Sequence, residues 1–141
     1  MKQAIQTPAA PAPRGPYSQG MLAPDRHLYV AAQGPLDPAT GEIAGEAFAV
    51  QARRTLENVK AVLEAGGASL ADVVQVTVYL ADWKYLGEMN EIYSDYFPAP
   101  YPARTPIQMA VPLGLIMLDA IAVIAEPERP DESDRRRAPA R

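Results

Sequence analysis

The sequence predicts an α+β domain, a two-layer sandwich in which two helices cover one face of a mixed β-sheet. Three patterns predict it. Apolar residues recur at spacings of three and four over about 46–65, alternate over 73–80, and run almost unbroken over 115–125. The first spacing is that of an amphipathic helix, the second that of a strand, and the third that of a buried strand. Helices interleaved with strands build layers around one core.

Each element has its own warrant. The first sixteen residues carry Pro8, Pro11, Pro13 and Pro16, so they read as an extended arm. His27 to Gln33 reads as a short strand with Leu28 and Val30 prominent, and Gly34 to Gly41 is turn chemistry. Phe48, Ala52, Leu56, Val59 and Leu63 mark the first helix, which Gly66-Gly67 ends. In the next strand Val74, Val76, Val78 and Leu80 share one face, with Gln75, Thr77 and Tyr79 on the other. Asp82 caps a second helix, whose buried stripe is Trp83, Leu86, Met89 or Asn90, Tyr93 and Phe97. Pro98, Pro100 and Pro102 force a loop. Arg104 to Ala110 returns as a strand made irregular, or confined to an edge, by Pro106. Leu115 to Ala125 closes the sheet, and its continuous apolar character predicts burial on both faces. The order is β-β-α-β-α-β-β. The sheet face away from the helices still carries apolar residues, so another subunit is its expected cover.

Bulk composition narrows the function. The chain has 141 residues, enough for one domain, and 48% are hydrophobic. Its net charge is −4, and the five acids and five arginines from Glu126 onward cancel, so the body carries that charge. An acidic body disfavours a phosphate backbone, so no nucleic-acid partner is expected. Residues 127–141 read as a polar, disordered tail in which Arg135-Arg136-Arg137 is interleaved with acids; the domain is residues 1–126. The sequence has no cysteine and one histidine, His27, beside Asp25 and Arg26. Disulfides, thiolate catalysis and histidine metal clusters are thereby excluded, and no metal site is expected. Met1 to Pro16 lacks the apolar core of a signal peptide, and no run approaches the ~18 apolar residues of a membrane helix. A cytoplasmic protein without a membrane partner is the expectation.

Few residues remain to carry chemistry. Arg104 follows a Pro-rich loop and opens a strand, where its planar fork can grip a carboxylate with two parallel hydrogen bonds or form a surface salt bridge. Tyr17 can donate to a ligand or merely pack. Asn90 can contact a ligand or cap a loop. Gln33 and Gly34 lie where backbone groups can face a cleft. Glu88 and Glu91 are i,i+3 acids of the solvated kind. Asp119 interrupts an apolar strand, and such an acid needs a partner or a purpose.

Together these segments resemble the RidA/YjgF family of reactive imine/enamine deaminases. The matching pieces are Gly15-Pro16-Tyr17-Ser18-Gln19, Ala32-Gln33-Gly34-Pro35-Leu36-Asp37-Pro38 and Thr40-Gly41-Glu42. They continue with Gln51, the stretch Asn58 to Gly67, and Asp72-Val73-Val74. Met89-Asn90-Glu91-Ile92-Tyr93, Phe97, Pro102-Ala103-Arg104 and Ala120-Ile121-Ala122 complete the set. The resemblance spans about residues 5–125 in the right order.

It implies a chorismate-mutase-like fold, a homotrimer with three clefts between subunits, and no cofactor. The implied reaction is hydrolysis of 2-aminoacrylate and related enamines or imines to 2-keto acids and ammonia. In that scheme Arg104 holds the substrate carboxylate, and Tyr17 closes the cleft from the neighbouring chain. Three departures matter. Met117 stands where the family usually has a glutamate thought to orient the water, and a thioether does this poorly. Asp119 lies on the same side of the strand, roughly 6–7 Å further along, and is the candidate replacement acid. Ala31-Ala32-Gln33 replaces the family's Ser-Gly-Gln, and Pro106 follows Arg104-Thr105 where many members carry cysteine. Arg14 adds a second cation near the cleft mouth, which suits a dicarboxylate.

Three readings are open on these residues. One is a broad enamine/imine hydrolase. Another is a specialised deaminase of a larger or dicarboxylic intermediate. The third is a trimeric binder of a 2-keto acid without turnover. A ribonuclease fits poorly, given the acidic body and the lack of a histidine pair.

Overall fold

A computed structural model describes residues 1–125. Its elements in chain order are β1 (Gln3–Ile5), β2 (Gly20–Leu22), β3 (His27–Gln33), α1 (Phe48–Ala65), β4 (Val73–Leu80), α2 (Leu86–Tyr96), β5 (Ala103–Gln108) and β6 (Ile116–Val123). Short 3-10 turns at Leu70–Asp72 and Trp83–Tyr85 lead into β4 and α2. The strands form one six-stranded sheet in the order β1-β2-β3-β6-β4-β5. Only β4 and β5 pair in parallel, joined through α2. The mixed sheet and its two helices are as the sequence predicts. The division at residue 126 and the tail after it lie outside the described residues.

The sheet has one strand more than the sequence reading. Gln3–Ile5 of the presumed arm pairs antiparallel with β2, because the prolines begin only at Pro8. Gly20 lets β2 lie close to α1: a Cβ there would meet Val62 Cγ1 at 2.9 Å. Helix α1 stops in a Schellman arrangement, with Gly67 at φ 88° and the Ala68 N–H donating to the Leu63 carbonyl.

Three expectations about faces need correction. In β4 the register slips between Val73 and Gln75. This bulge turns Val73 inward and leaves Val74 48% exposed, so Val74 does not share the face of Val76, Val78 and Leu80. Trp83 sits in a 3-10 turn before α2 begins, off the helical stripe, and is 46% exposed. Asp82 caps that turn by accepting from the Lys84 N–H at 2.8 Å. Asn90 is exposed, whereas Met89, Ile92, Tyr93 and Phe97 form the buried stripe. In β6 only alternate residues are buried: Ile116, Leu118, Ala120 and Ala122. Met117, Asp119 and Ile121 are half-buried on the other face, beside exposed Tyr29, Ile107 and Val123. The apolar run therefore marks a strand whose second face is incompletely covered by its own chain.

Leu118→Ala is expected to cost ~2–5 kcal/mol in urea unfolding, as a fully buried leucine truncation does. If another copy covers the open face, Ile121→Ala should show a loss that grows on dilution. Equal, dilution-independent losses for both would mean that one chain covers the open face.

Candidate functional site

Arg104 opens β5 at the sheet edge and pairs in register with Val76, a residue buried beneath the helices. Its side chain therefore turns to the helix layer. The guanidinium carbon stacks 4.8 Å from the centroid of the Tyr93 ring, and one guanidinium nitrogen lies 4.0 Å from Met89 Sδ. Such a cation–ring contact contributes ~0.5–2 kcal/mol and holds the fork in one plane. Asn90, Ser94, Tyr101 and Pro102 complete a depression of about 390 Å³ around it. No carboxylate of the described residues lies within 4.0 Å of Arg104; the acids so placed against basic side chains are Asp95 at Arg53 and Asp25 at His27. The salt-bridge alternative for Arg104 thus has no acid within the described chain. Tyr93 is buried, and its hydroxyl has no hydrogen-bond partner among the described residues. Burial pushes its pKa up to about 12, with the Arg104 charge pulling the opposite way.

A second depression, of about 160 Å³, gathers Arg14, Tyr17, Gln33, Gly34 and Met117 with Leu113 and neighbouring residues. A register shift between Val30 and Gln33 turns the Gln33 side chain inward and brings the chain to Gly34 at the mouth. Buried Asn58 on α1 fastens that mouth: its amide donates to the Gly34 and Leu36 carbonyls, both at 2.9 Å, and accepts from Arg54 Nε at 3.1 Å. Gln51 bridges two loops in the same way, donating to the Gly45 carbonyl and accepting from the Leu115 N–H, both at 2.8 Å. Gln19 anchors the N-terminal loop by donating to the carbonyls of Thr7, Ala10 and Pro11. Tyr17 is 52% exposed, and its Oη accepts from the Arg14 N–H at 3.2 Å.

Asp119 lines neither depression. It lies on the open sheet face opposite Thr77, and its carboxylate accepts from Tyr79 Oη at 2.8 Å. That bond, the largest cause, raises the Tyr79 pKa, and burial adds to it. The sequence reading missed Tyr79, Tyr93, Asn58 and Gln51 as shapers of the site. Gln51 and Asn58 on the core stripe of α1 were a visible signal, since buried amides there must find partners.

The predicted site residues therefore fall into three groups: Arg104 with Asn90; Arg14, Tyr17, Gln33, Gly34 and Met117; and Asp119 with Tyr79. Within one protomer β5 and β6 are two strand spacings apart, and Arg104 and Met117 are displaced along the strands as well. That separates them by roughly 14 Å, on opposite faces of the sheet. A ligand of three or four carbons cannot touch both within one chain. Among the described residues no helix is long and apolar enough to cross a membrane.

The family model described as Endoribonuclease L-PSP matches residues 7–126. A RutC family protein of Pyrococcus horikoshii is 48% identical over 86% of this chain and 98% of its own. A Bos taurus protein named 2-iminobutanoate/2-iminopropanoate deaminase is 38% identical over 87% of this chain and 90% of its own. The crystal structure of RidA from an Antarctic Psychrobacter is 40% identical, with TM-score 0.82, covering 86% of this chain and 99% of that one.

The buried Tyr93 phenol predicts an alkaline effect. Its folded-state pKa is raised, so its stabilising share is whole below pH ~10 and is lost as pH climbs towards about 12. Tyr93→Phe should flatten the decline in urea midpoint across that window. An unchanged decline would show that Tyr93 is not what titrates.

Proposed function

The chain belongs to the Endoribonuclease L-PSP family, the YjgF/RidA family, and on that premise we propose that it hydrolyses small enamine and imine carboxylates. The substrates are of the 2-aminoacrylate and 2-iminopropanoate kind, and the products are 2-keto acids and ammonia. The observation that carries this reading is Arg104: a cation with no acid beside it among the described residues, stacked on Tyr93 and facing Asn90 in an open depression. The names of relatives such as the bovine deaminase support the reaction class.

The site lies between subunits of a homotrimer. Arg104 and Asn90 come from one chain, and Tyr17, Gln33 and Gly34 come from its neighbour. The separation of the two depressions within a protomer supports this arrangement, as does the apolar open face. Arg104 takes the substrate carboxylate through two N–H donors. The iminium carbon is already electrophilic, so a water held beside it adds, giving a carbinolamine. The nitrogen takes up the proton that the water gives, and ammonia leaves as the carbonyl forms. Positioning supplies most of the acceleration, and no cofactor is required. Asp119, held by Tyr79, is the acid on the Met117 side of β6 and orients the water once a neighbouring subunit covers that face. The body is acidic, and its single histidine sits beside Asp25 at the start of β3, so a phosphodiester substrate finds no histidine pair.

A second reading rests on one observation: no acid lines either depression, and the thioether of Met117 walls the second. Such a trimer binds a 2-keto acid through Arg104 without turning over an imine.

Generating 2-aminoacrylate in situ with a serine or threonine dehydratase separates the two. Wild type should speed its loss over buffer, and Arg104→Ala should lower kcat/KM on the order of 100-fold, the loss of two charge-assisted hydrogen bonds. Asp119→Asn should lower kcat with KM little changed, and Met117→Glu should raise it. No acceleration by wild type, together with Arg104-dependent binding of pyruvate by calorimetry, would leave only the binder. A monomer in sedimentation would overturn the intersubunit site.

A further inference from the structure

Arg14 is a cation held in place at both ends. Its backbone N–H donates to Tyr17 Oη at 3.2 Å, and its guanidinium donates to the Gly41 carbonyl. Gly41 sits at φ 75°, a left-handed turn that aims this carbonyl. One carbonyl occupies one of the five N–H donors of this exposed guanidinium, and the others stay open to solvent or to a ligand. No carboxylate of the described residues lies within 4.0 Å of Arg14. The depression it shares with Tyr17, Gln33 and Met117 has no acid in its lining and an apolar wall. A guanidinium held beside apolar surface, with no acid against it among the described residues, has the geometry to take a carboxylate through two N–H donors. The Arg104 depression likewise has no acid in its lining.

We propose that Arg14 is a specificity-determining residue that binds the distal carboxylate of a 2-imino dicarboxylic acid, while Arg104 binds the carboxylate next to the imine. This rests on the intersubunit hydrolase reading above, which brings the two cationic depressions of adjacent chains together. A substrate with one carboxylate leaves one guanidinium without a partner; a substrate with two satisfies both. Met117 contributes a neutral wall, so nothing in that depression repels the second negative charge.

The full-length protein is tested on imines formed in situ from alanine, aspartate and glutamate by amino-acid oxidases, following release of the 2-keto acid. The readout is the ratio of kcat/KM for a dicarboxylic imine to that for 2-iminopropanoate. Wild type should show a ratio of about ten or more. Arg14→Gln should lower it about tenfold, and Arg14→Lys, which keeps the charge, should lower it less. A wild-type ratio of one or below, or a ratio unmoved by Arg14→Gln, would overturn the assignment. If no imine is accelerated, the hydrolase reading fails, and calorimetry then judges the subsite alone. Tighter binding of 2-oxoglutarate than pyruvate, abolished by Arg14→Gln, would uphold it, and equal binding would refute it.

Discussion

The two-residue alternation of β6 is the constraint on which the rest depends. This strand lies between β3 and β4 and pairs antiparallel with both. Leu118, Ala120 and Ala122 must face the helix layer, because they close the core beneath α1. Met117, Asp119 and Ile121 must then face the other way. A slip of one residue would bury Asp119 and expose Leu118, which is far costlier than any gain at the site. The polar chemistry of this strand is thereby assigned to the open face before any ligand is considered.

The loops around the Arg14 and Tyr17 depression are held by a different device. Gln19, Gln51 and Asn58 are buried, and each spends its amide on backbone groups of irregular segments. A buried backbone carbonyl without a partner costs about 1–3 kcal/mol, so each amide offsets a penalty that would otherwise open its loop. The consequence reaches the site directly. The Gly34 carbonyl is occupied by Asn58, so what that turn presents to a ligand is its shape and its remaining backbone donors. Rigidity at the mouth comes from α1, an element that lines neither depression.

Electrostatics divide the molecule in a telling way. The described body is acidic, yet both depressions centre on an arginine and neither is lined by a carboxylate. Arg104 is held by an aromatic face and a sulfur, Arg14 by a carbonyl and the chain turn at Tyr17. Neutral supports leave the positive charge unspent, which favours an anionic ligand over an internal ion pair. On the open face Asp119 is held by a phenol, which orients it without neutralising it.

Much of this was legible in the chain itself. The period of α1, the alternation of β4 beyond its bulge, the edge position imposed on β5 by Pro106 and the anchoring potential of Arg104 are local properties. They follow from side-chain spacing and from what proline and arginine can do. The burial of Gln33, the exposure of Trp83 and the inward turn of Val73 are not local. Each depends on a bulge or a 3-10 turn that shifts phase by one residue, and such shifts are set by which partner strand or helix is available. The Tyr93 platform beneath Arg104 and the Tyr79 hydroxyl on Asp119 join residues 11 and 40 positions apart, contacts that no spacing rule connects. Sequence alone thus determined which residue types are present for carboxylate chemistry and on which elements they ride. Tertiary structure decided which of them face each other, because the sheet's register places Arg104 on one face and Met117 with Asp119 on the other.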